Sequence, residues 1–337
     1  MLGVVRYLQA VNEINAIKAD PHVWTHDGDD AETYGLEPNY GCCTANFNQG
    51  WPKFAHMIVY TTQDNGVAVG AYAPVTADAG NGIVVDVDTA YPFEDAITVT
   101  VSGNAEEIPV YLRIPGWAVD PNKTLNGEPI EAANGTMLET TCKAGAPCTF
   151  ELDFKPAIRV EEWGDFAANG SRTQDGPYSI HRGALMYALP LGLNFTQNTH
   201  YFGPVNDSSQ SSNDYEIRPT SDQPWNVAID LDVATPEQSL SFHQGAYGKD
   251  AAAFNHSGWP CNISGTVRVV PGWVEADNSA SAPPASPACV AADANCGPAS
   301  TAVFVPYGGT DLRVSELPSS GLSGKQAKAL RQRRLRH

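Results

Sequence analysis

Short β-rich runs separated by turn sequences dominate the chain from residue 58 onwards, and they constrain the fold more than any other feature. Asp64-Asn65-Gly66 and Gly80-Asn81-Gly82 are typical of the tight turns that join antiparallel strands. Because such runs recur at short intervals, the sequence predicts a mainly β fold built from antiparallel β-sandwich domains. The runs are Val67–Tyr72, Ile83–Asp88, Ala96–Val101, Ile108–Ile114, Cys148–Phe154, Tyr178–His181, Leu185–Leu189, Trp225–Leu231, Gly265–Val270 and Ala302–Pro306.

Two segments between the later runs predict exposed loops instead of strands. Residues 194–213 are rich in Asn, Ser, Asp and Gln, a composition too polar for a core. Residues 279–288 are rich in Ala, Pro and Ser.

The first 60 residues have a helical pattern. Apolar residues recur at three- and four-residue intervals up to Asp20-Pro21, which predicts an amphipathic helix that ends there; they are Val4, Val5, Leu8, Val11, Ile14 and Ile17. A second helix is predicted where Phe47, Trp51, Phe54 and Ile58 share one stripe, with Pro52 near its start, where the missing N–H is tolerated. Two such helices cannot bury both stripes alone.

The charge balance excludes two classes of partner. Lys and Arg number 20 against 38 Asp and Glu, and six of the basic residues lie within the last 13 positions. The remaining chain is therefore strongly acidic, which disfavours nucleic acid and anionic membranes but not a neutral sugar. No apolar run approaches the roughly 20 residues of a membrane span. We therefore expect a carbohydrate partner, no nucleic acid and no membrane, and the oligomeric state stays open.

Glycosylation sequons and cysteines point to an oxidising compartment. Cys142 and Cys148 flank a turn-rich span that could close a small disulfide loop; Cys289 and Cys296 bracket a similar interval, with Cys261 as a rival partner. Residues 1–6 are no signal peptide. We therefore expect an extracellular full-length glycoprotein whose N-terminal part is missing here. Seven Asn-X-Ser/Thr sequons support this, at Asn122, Asn134, Asn169, Asn194, Asn206, Asn255 and Asn262.

The adjacent pair Cys42-Cys43 is the strongest candidate for chemistry. Vicinal cysteines seldom bond to each other, and two neighbouring thiolates suit a soft metal such as zinc. Two cysteines supply at most two of the four ligands that zinc requires. Nearby residues that could supply the others stand at no recognised spacing: His22, His26, Glu37 and His56. Two small buried side chains at a helix start, or a redox or metal-storage site, are the alternatives.

The segment Gly41-Cys-Cys-Thr-Ala-Asn46 resembles the cysteine-pair motif of glycoside hydrolase family 127, the β-L-arabinofuranosidase type. The collinear order of the other similar segments carries the resemblance from about Arg6 to Pro318. They are Asn65–Pro74, Tyr91–Asp95, Leu112–Trp117, Leu125–Gly127, His181–Leu189 and Phe304–Arg313.

This resemblance implies a fold and a mechanism. The family places an (α/α)6 helical barrel before its β-sandwich domains. The resemblance implies that Cys42 is the nucleophile of a retaining mechanism and that Cys42 and Cys43 bind a zinc ion. It also implies that the substrate is an arabinose-containing plant glycan. The family's general acid and a Glu-X-Cys pair of zinc ligands lie upstream of the cysteine pair, and the 41 residues before Cys42 contain no Glu-X-Cys. We therefore expect a truncated chain that is inactive alone.

The expected domain organisation follows from the same resemblance. Residues 1–60 would be the C-terminal end of the helical catalytic barrel, a short helical remnant that carries the cysteine pair. A β-sandwich domain (61–192), a second β unit with long loops (193–318) and a basic disordered tail (319–337) would follow. The alternative function is a non-catalytic carbohydrate-binding or scaffold protein made of β-sandwiches.

Overall fold

The computed structural model describes residues 10–19, 33–35, 41–143, 145–164, 175–201, 211–245, 258–290 and 295–322. In these ranges the chain is mainly β, as predicted, with two short α-helices, α1 (Gly41–Phe47) and α2 (Gly50–His56), and two 3-10 turns at Pro236–Gln238 and Tyr307–Gly309. No helix of the described residues is long and apolar enough to cross a membrane.

The strands of the described residues are β1 (Asn12–Glu13), β2 (Val59–Thr61), β3 (Val67–Val69), β4 (Val75–Asp78), β5 (Val84–Thr89), β6 (Ala96–Ser102), β7 (Glu107–Arg113), β8 (Asn122–Leu125), β9 (Glu128–Pro129), β10 (Met137–Lys143), β11 (Cys148–Asp153), β12 (Ile158–Glu162), β13 (Tyr178–Arg182), β14 (Leu185–Pro190), β15 (Leu193–Tyr201), β16 (Ser211–Pro219), β17 (Val227–Ile229), β18 (Leu240–Gln244), β19 (Cys261–Val269), β20 (Glu275–Ala276), β21 (Ser279–Ala280), β22 (Ser300–Pro306) and β23 (Arg313–Val314).

The chain divides into two compact units. We call residues 48–157 and 182–184 the inserted unit, because the other unit continues on both sides of it in sequence. Residues 1–47, 158–181 and 185–337 form the flanking unit.

The inserted unit is a β-sandwich. One sheet has the strand order β10-β7-β3-β2 and the other β4-β5-β6-β11-β8-β9. Alternate residues of both sheets point into one shared core, for example Ile97 and Val99 from β6 and Val110 and Leu112 from β7. The runs predicted at 67–72, 83–88, 96–101 and 108–114 thus correspond to β3, β5, β6 and β7.

Turn chemistry and one disulfide close this sandwich. Asn65 and Asn81 adopt positive φ angles of 61° and 53° in the predicted turns. Gly66 follows the first, and a Cβ there would collide with the Pro109 carbonyl group. The predicted Cys142–Cys148 disulfide is present and joins β10 of one sheet to β11 of the other.

The flanking unit is centred on a nine-stranded sheet in which β1, β23, β14, β22, β19 and β17 follow one another. Its largest fully buried side chains include Trp273, Tyr187 and Phe304. The predicted Cys289–Cys296 disulfide lies in this unit. Cys261, its suggested rival, is instead buried on β19 with its sulfur 3.3 Å from the Tyr187 hydroxyl oxygen.

The first predicted helix is wrong over residues 10–17. Residues Asn12–Glu13 form β1 and pair with β23, and Ala16 forms an isolated bridge with Ile217. All of Asn12–Ile17 is buried, polar and apolar residues alike, so the segment has no solvent face. A helix would lose these hydrogen bonds to distant strands, which satisfy its buried backbone groups. Residues 1–9 lie outside the described residues.

The first predicted loop is also wrong where the structure describes it, whereas the second is irregular over residues 281–288, as predicted, but is partly buried. Residues 193–201 and 211–219 pair as a two-stranded ribbon, β15 with β16, whose backbone groups bond to each other. In the second segment Ser279 and Ser286 are buried. The Ser286 hydroxyl donates a hydrogen bond to the Gly176 carbonyl oxygen (2.7 Å) and accepts one from the Ser319 amide (2.9 Å). Short hydroxyl side chains that are bonded in this way can be buried at little cost.

The predicted domain boundaries stay predictions. One observation concerns the start of the predicted tail at residue 319. Residues 319–322 belong to the described structure and Ser320 is buried, whereas residues 323–337 lie outside it.

Candidate functional site: the Cys42–Cys43 pair

Cys42 and Cys43 lie in the first turn of α1, in the flanking unit. The Cys42 side chain is exposed and that of Cys43 is partly exposed. Their sulfur atoms are 3.6 Å apart, far beyond the roughly 2.05 Å of a disulfide, so the two residues are present as thiols. Two adjacent sulfur atoms, one of them open to solvent, can act as a nucleophile or as ligands of a soft metal.

The helix that carries the pair is held locally. The Asn46 side chain, one turn later, donates a hydrogen bond of 2.6 Å to the Cys42 carbonyl oxygen. This bond fixes the backbone that presents Cys42.

The described residues contain no group of three or more His, Cys, Asp or Glu side chains placed to hold a metal ion. Of the possible further ligands, His22, His26 and Glu37 lie outside the described residues. His56 is exposed on α2. The two thiols therefore fit zinc as half of a tetrahedral ligand set, and the described residues supply no second half.

An exposed apolar surface covers α2 and β2 in the inserted unit. Trp51 is 73% exposed, Met57 56% and Phe54 40%, and no residue of α2 is buried. The Trp51 and Phe54 rings are 5.9 Å apart, as the predicted stripe requires, while Ile58 is buried. The second predicted helix is therefore present as α1 and α2, with most of its stripe facing solvent.

Arg182 and Trp117 lie in two of the segments that resemble the family, and both have structural contacts. Arg182 forms two hydrogen bonds with the Asp95 carboxylate, at 3.0 and 2.6 Å. Trp117 packs edge-on against Phe154 in the sandwich core, with 5.7 Å between ring centroids. Neither arrangement leaves a group free for catalysis.

His181 has the partners of a catalytic triad but not its geometry. Its Nε2 lies 2.8 Å from the Ser179 hydroxyl oxygen and 3.7 Å from the Glu161 carboxylate. A triad uses one ring nitrogen for each partner, whereas both contacts here fall on the same nitrogen. Burial lowers the pKa of His181, the Glu161 carboxylate opposes this, and the Arg159 guanidinium adds to it. Ser179 is fully buried, so this network is structural.

Two open cavities in the flanking unit are lined by residues that the sequence did not indicate. Both include Trp259, a single Trp beside Pro260 that follows a polar segment and belongs to no periodic pattern.

The packed sheets of the inserted unit define the class first: a β-sandwich domain. Residues 66–155, most of this unit, match the family profile described as β-L-arabinofuranosidase, GH127 middle domain. The resemblance to glycoside hydrolase family 127 seen in the sequence is thereby confirmed for residues 66–155, which match the profile of the middle domain of that family.

Solved structures share the fold of the chain. A protein described as a glycoside hydrolase aligns with a TM-score of 0.56 and 15% identity, over 91% of this chain and 44% of its own. Ara127N-Se, a GH127 β-L-arabinofuranosidase from Geobacillus stearothermophilus T6, aligns with a TM-score of 0.50 and 18% identity over 82% and 36%. A further GH127 β-arabinofuranosidase gives 0.50 and 14% over 82% and 38%.

The chain thus spans less than half the length of the solved structures it matches. At these identities the likeness shows the fold alone. A sequence comparison with curated proteins gives no match.

Proposed function

We propose that this chain is part of a retaining, zinc-dependent β-L-arabinofuranosidase that acts on arabinose-containing plant glycans, with Cys42 as its nucleophile. The observation that carries the proposal is the exposed Cys42 thiol beside Cys43 in a chain that contains a GH127 middle domain. The matched profile describes a β-L-arabinofuranosidase, which supplies the substrate class.

The proposed step begins at the Cys42 sulfur. The thiolate attacks the anomeric carbon of the arabinofuranosyl group, a C–S bond forms, and the glycosidic C–O bond breaks. The leaving oxygen takes the electron pair of that bond and a proton from a general acid. Water then attacks from the face that the leaving group vacated, opposite the sulfur: a C–O bond forms, the C–S bond breaks to return the Cys42 thiolate, and the conjugate base of the general acid takes the water proton. The two inversions together retain the configuration.

Cys42 and Cys43 would hold the zinc ion. A bound zinc ion stabilises coordinated sulfur in its thiolate form. Because the described residues supply no further zinc ligands beside the cysteine pair, we propose that the chain alone does not turn over ordinary arabinofuranosides.

An activated substrate tests the nucleophile separately from the acid. The leaving group of 2,4-dinitrophenyl β-L-arabinofuranoside departs as a stable anion, so it needs no proton. We expect a burst of one equivalent of dinitrophenolate and a mass increase of one arabinosyl group on Cys42. In Cys42→Ser both disappear. The Cys43→Ser variant distinguishes the two thiols, because it retains Cys42 and should still form the adduct on that residue.

An adduct that maps to Cys43, or an equal burst from Cys42→Ser, would contradict the proposed nucleophile. Zinc content by elemental analysis completes the test. Zinc carried by the chain should fall in Cys43→Ser, and an unchanged content would contradict the assignment of Cys43 as a ligand.

The alternative is a non-catalytic carbohydrate-binding or scaffold protein. It is favoured by the incomplete set of zinc ligands among the described residues. If the chain forms no adduct, yet arabinan in the gel slows its migration in affinity electrophoresis, the carbohydrate-binding function replaces the proposed hydrolase.

We also propose that the protein is extracellular and glycosylated. Two disulfides are typical of oxidising compartments, and the sequon residues Asn122, Asn134 and Asn194 are exposed. Peptide-N-glycosidase treatment of protein secreted from a eukaryotic host should lower its mass. No change would contradict glycosylation.

A further inference from the structure

Two adjoining open cavities lie side by side in the flanking unit. One has a volume of about 300 Å³ and the other about 350 Å³. They share the side chains of Pro190, Gln223 and Trp259, so these three residues form the ridge between them. Each volume is at the lower end of the range of about 300–1,000 Å³ that holds small ligands. We call the pair the Trp259 cleft.

The ridge residues are held in place. The Trp259 indole N–H donates a hydrogen bond of 3.0 Å to the Gly309 carbonyl oxygen, and the indole is partly exposed. The Gln223 side-chain amide donates a bond of 3.0 Å to the Pro190 carbonyl oxygen. A ring fixed in this way binds a ligand without first losing conformational freedom.

The lining combines apolar surfaces with neutral polar groups. Trp259 and Pro190 supply the apolar surfaces, and Ser300, Thr301 and the Gln223 amide supply hydroxyl and amide groups. Of the described residues that line the cleft, none is Lys, Arg or His, and Asp311 is an acid. A phosphate or uronic acid would find no counter-charge, in a chain of net charge −18.

We propose that the Trp259 cleft is a binding site for a short neutral saccharide, separate from the cysteine pair. The Trp259 ring stacks on the C–H face of one sugar ring, and the hydroxyl and amide groups on the walls hydrogen-bond the sugar hydroxyls. Two sugar units extend on either side of the Trp259 ridge, one in each cavity. The site binds and positions a glycan without cleaving it, so it does not depend on the nucleophile proposed for Cys42.

The test uses the full chain carrying Cys42→Ser, so that no glycosyl transfer to that sulfur disturbs the titration. The probes are arabinotriose and, as an anionic trimer of comparable length, trigalacturonic acid. Binding is followed by NMR through the indole N–H signals of the seven Trp residues. We expect saturable shifts of the Trp259 signal with arabinotriose and none with trigalacturonic acid.

Three variants locate the binding. Trp259→Ala should weaken binding at least about fivefold, as expected for the loss of a stacking partner, whereas Trp259→Phe keeps a ring. Trp163→Ala is the matched control, because Trp163 is 50% exposed, has its N–H bonded to Ser179 and lies outside the cleft. It should bind like the parent. If Trp259→Ala does not fold, Thr301→Arg blocks the cleft from an exposed strand position.

Several results would overturn the proposal. These are the absence of saturable binding, equal losses in Trp163→Ala and Trp259→Ala, or unchanged affinity in Thr301→Arg. None of them bears on the adduct at Cys42, so this site and the proposed hydrolase can fail independently.

Discussion

The inserted and flanking units are both built mainly from antiparallel strand pairs, with β3 and β7 of the inserted unit paired in parallel, but residues at very different sequence separations close the two units. Strands β2 to β11 of the inserted unit follow one another between residues 59 and 153. In the flanking unit β1 pairs with β23, and Glu13 bonds Arg313 across a separation of 300 residues. A sandwich of neighbouring strands can form from local sequence, whereas the other unit requires both ends of the chain.

The largest effect is expected from breaking the long-range closure. Arg313 and Glu13 are completely buried, and their side chains are 3.1 Å apart. Arg313→Ala leaves the Glu13 carboxylate without this cation and should cost about 3–5 kcal/mol. Urea denaturation followed by hydrogen-exchange mass spectrometry should show that the flanking unit unfolds earlier and that the inserted unit is unchanged.

Arg159→Ala is the control for that variant. Its ion pair with Glu161 is exposed, so the loss should be below about 1 kcal/mol. Equal losses in both variants would show that burial does not make the Arg313 pair important.

A smaller effect should come from the disulfides, which offer a reciprocal comparison. Replacing Cys142 and Cys148 by Ser should lower the stability of the inserted unit by about 2–3 kcal/mol, because the unfolded chain gains freedom. The Cys289–Cys296 disulfide closes a loop of nearly equal length, and replacing these two cysteines by Ser should destabilise only the flanking unit. Exchange data in which either double variant weakens both units would contradict independent closure.

The smallest effect concerns pH. Burial lowers the pKa of His181 in the folded chain, so between this value and the unfolded value of about 6.5 the unfolded state binds more protons. The contribution of His181 to the unfolding free energy of the flanking unit is therefore complete above about pH 6.5. It is lost as the pH falls below about 6.5 and through the pKa of the folded state.

His181→Gln keeps a group that can accept the Ser179 hydrogen bond but cannot titrate. When the pH is lowered from 7.5 to 5, the unfolding free energy of the parent should therefore fall relative to that of the variant. A difference that is constant with pH would exclude His181 as the cause.

Prediction from the sequence succeeded best where neighbouring residues decide the structure. Asn65-Gly66 and Asn81-Gly82 occupy the turns expected of them, and β6 buries Ile97, Val99 and Val101 by simple alternation. The cysteine pair was found from its residue types, because adjacent thiols are rare. The Trp259 cleft could not be found, since its walls come from segments far apart in sequence.

The sequence by itself determined the β character of the chain and its turns, and it indicated the two disulfides and the cysteine pair as candidates, because each depends on residues a few positions apart. Only the tertiary structure decided that Ile14 and Ile17 lie in an extended, buried segment while Trp51 and Phe54 lie on an exposed helix. Both segments carry the same apolar period. The physical reason is that periodicity fixes which side chains share a face, but distant strands determine whether that face is covered and where the backbone hydrogen bonds are made.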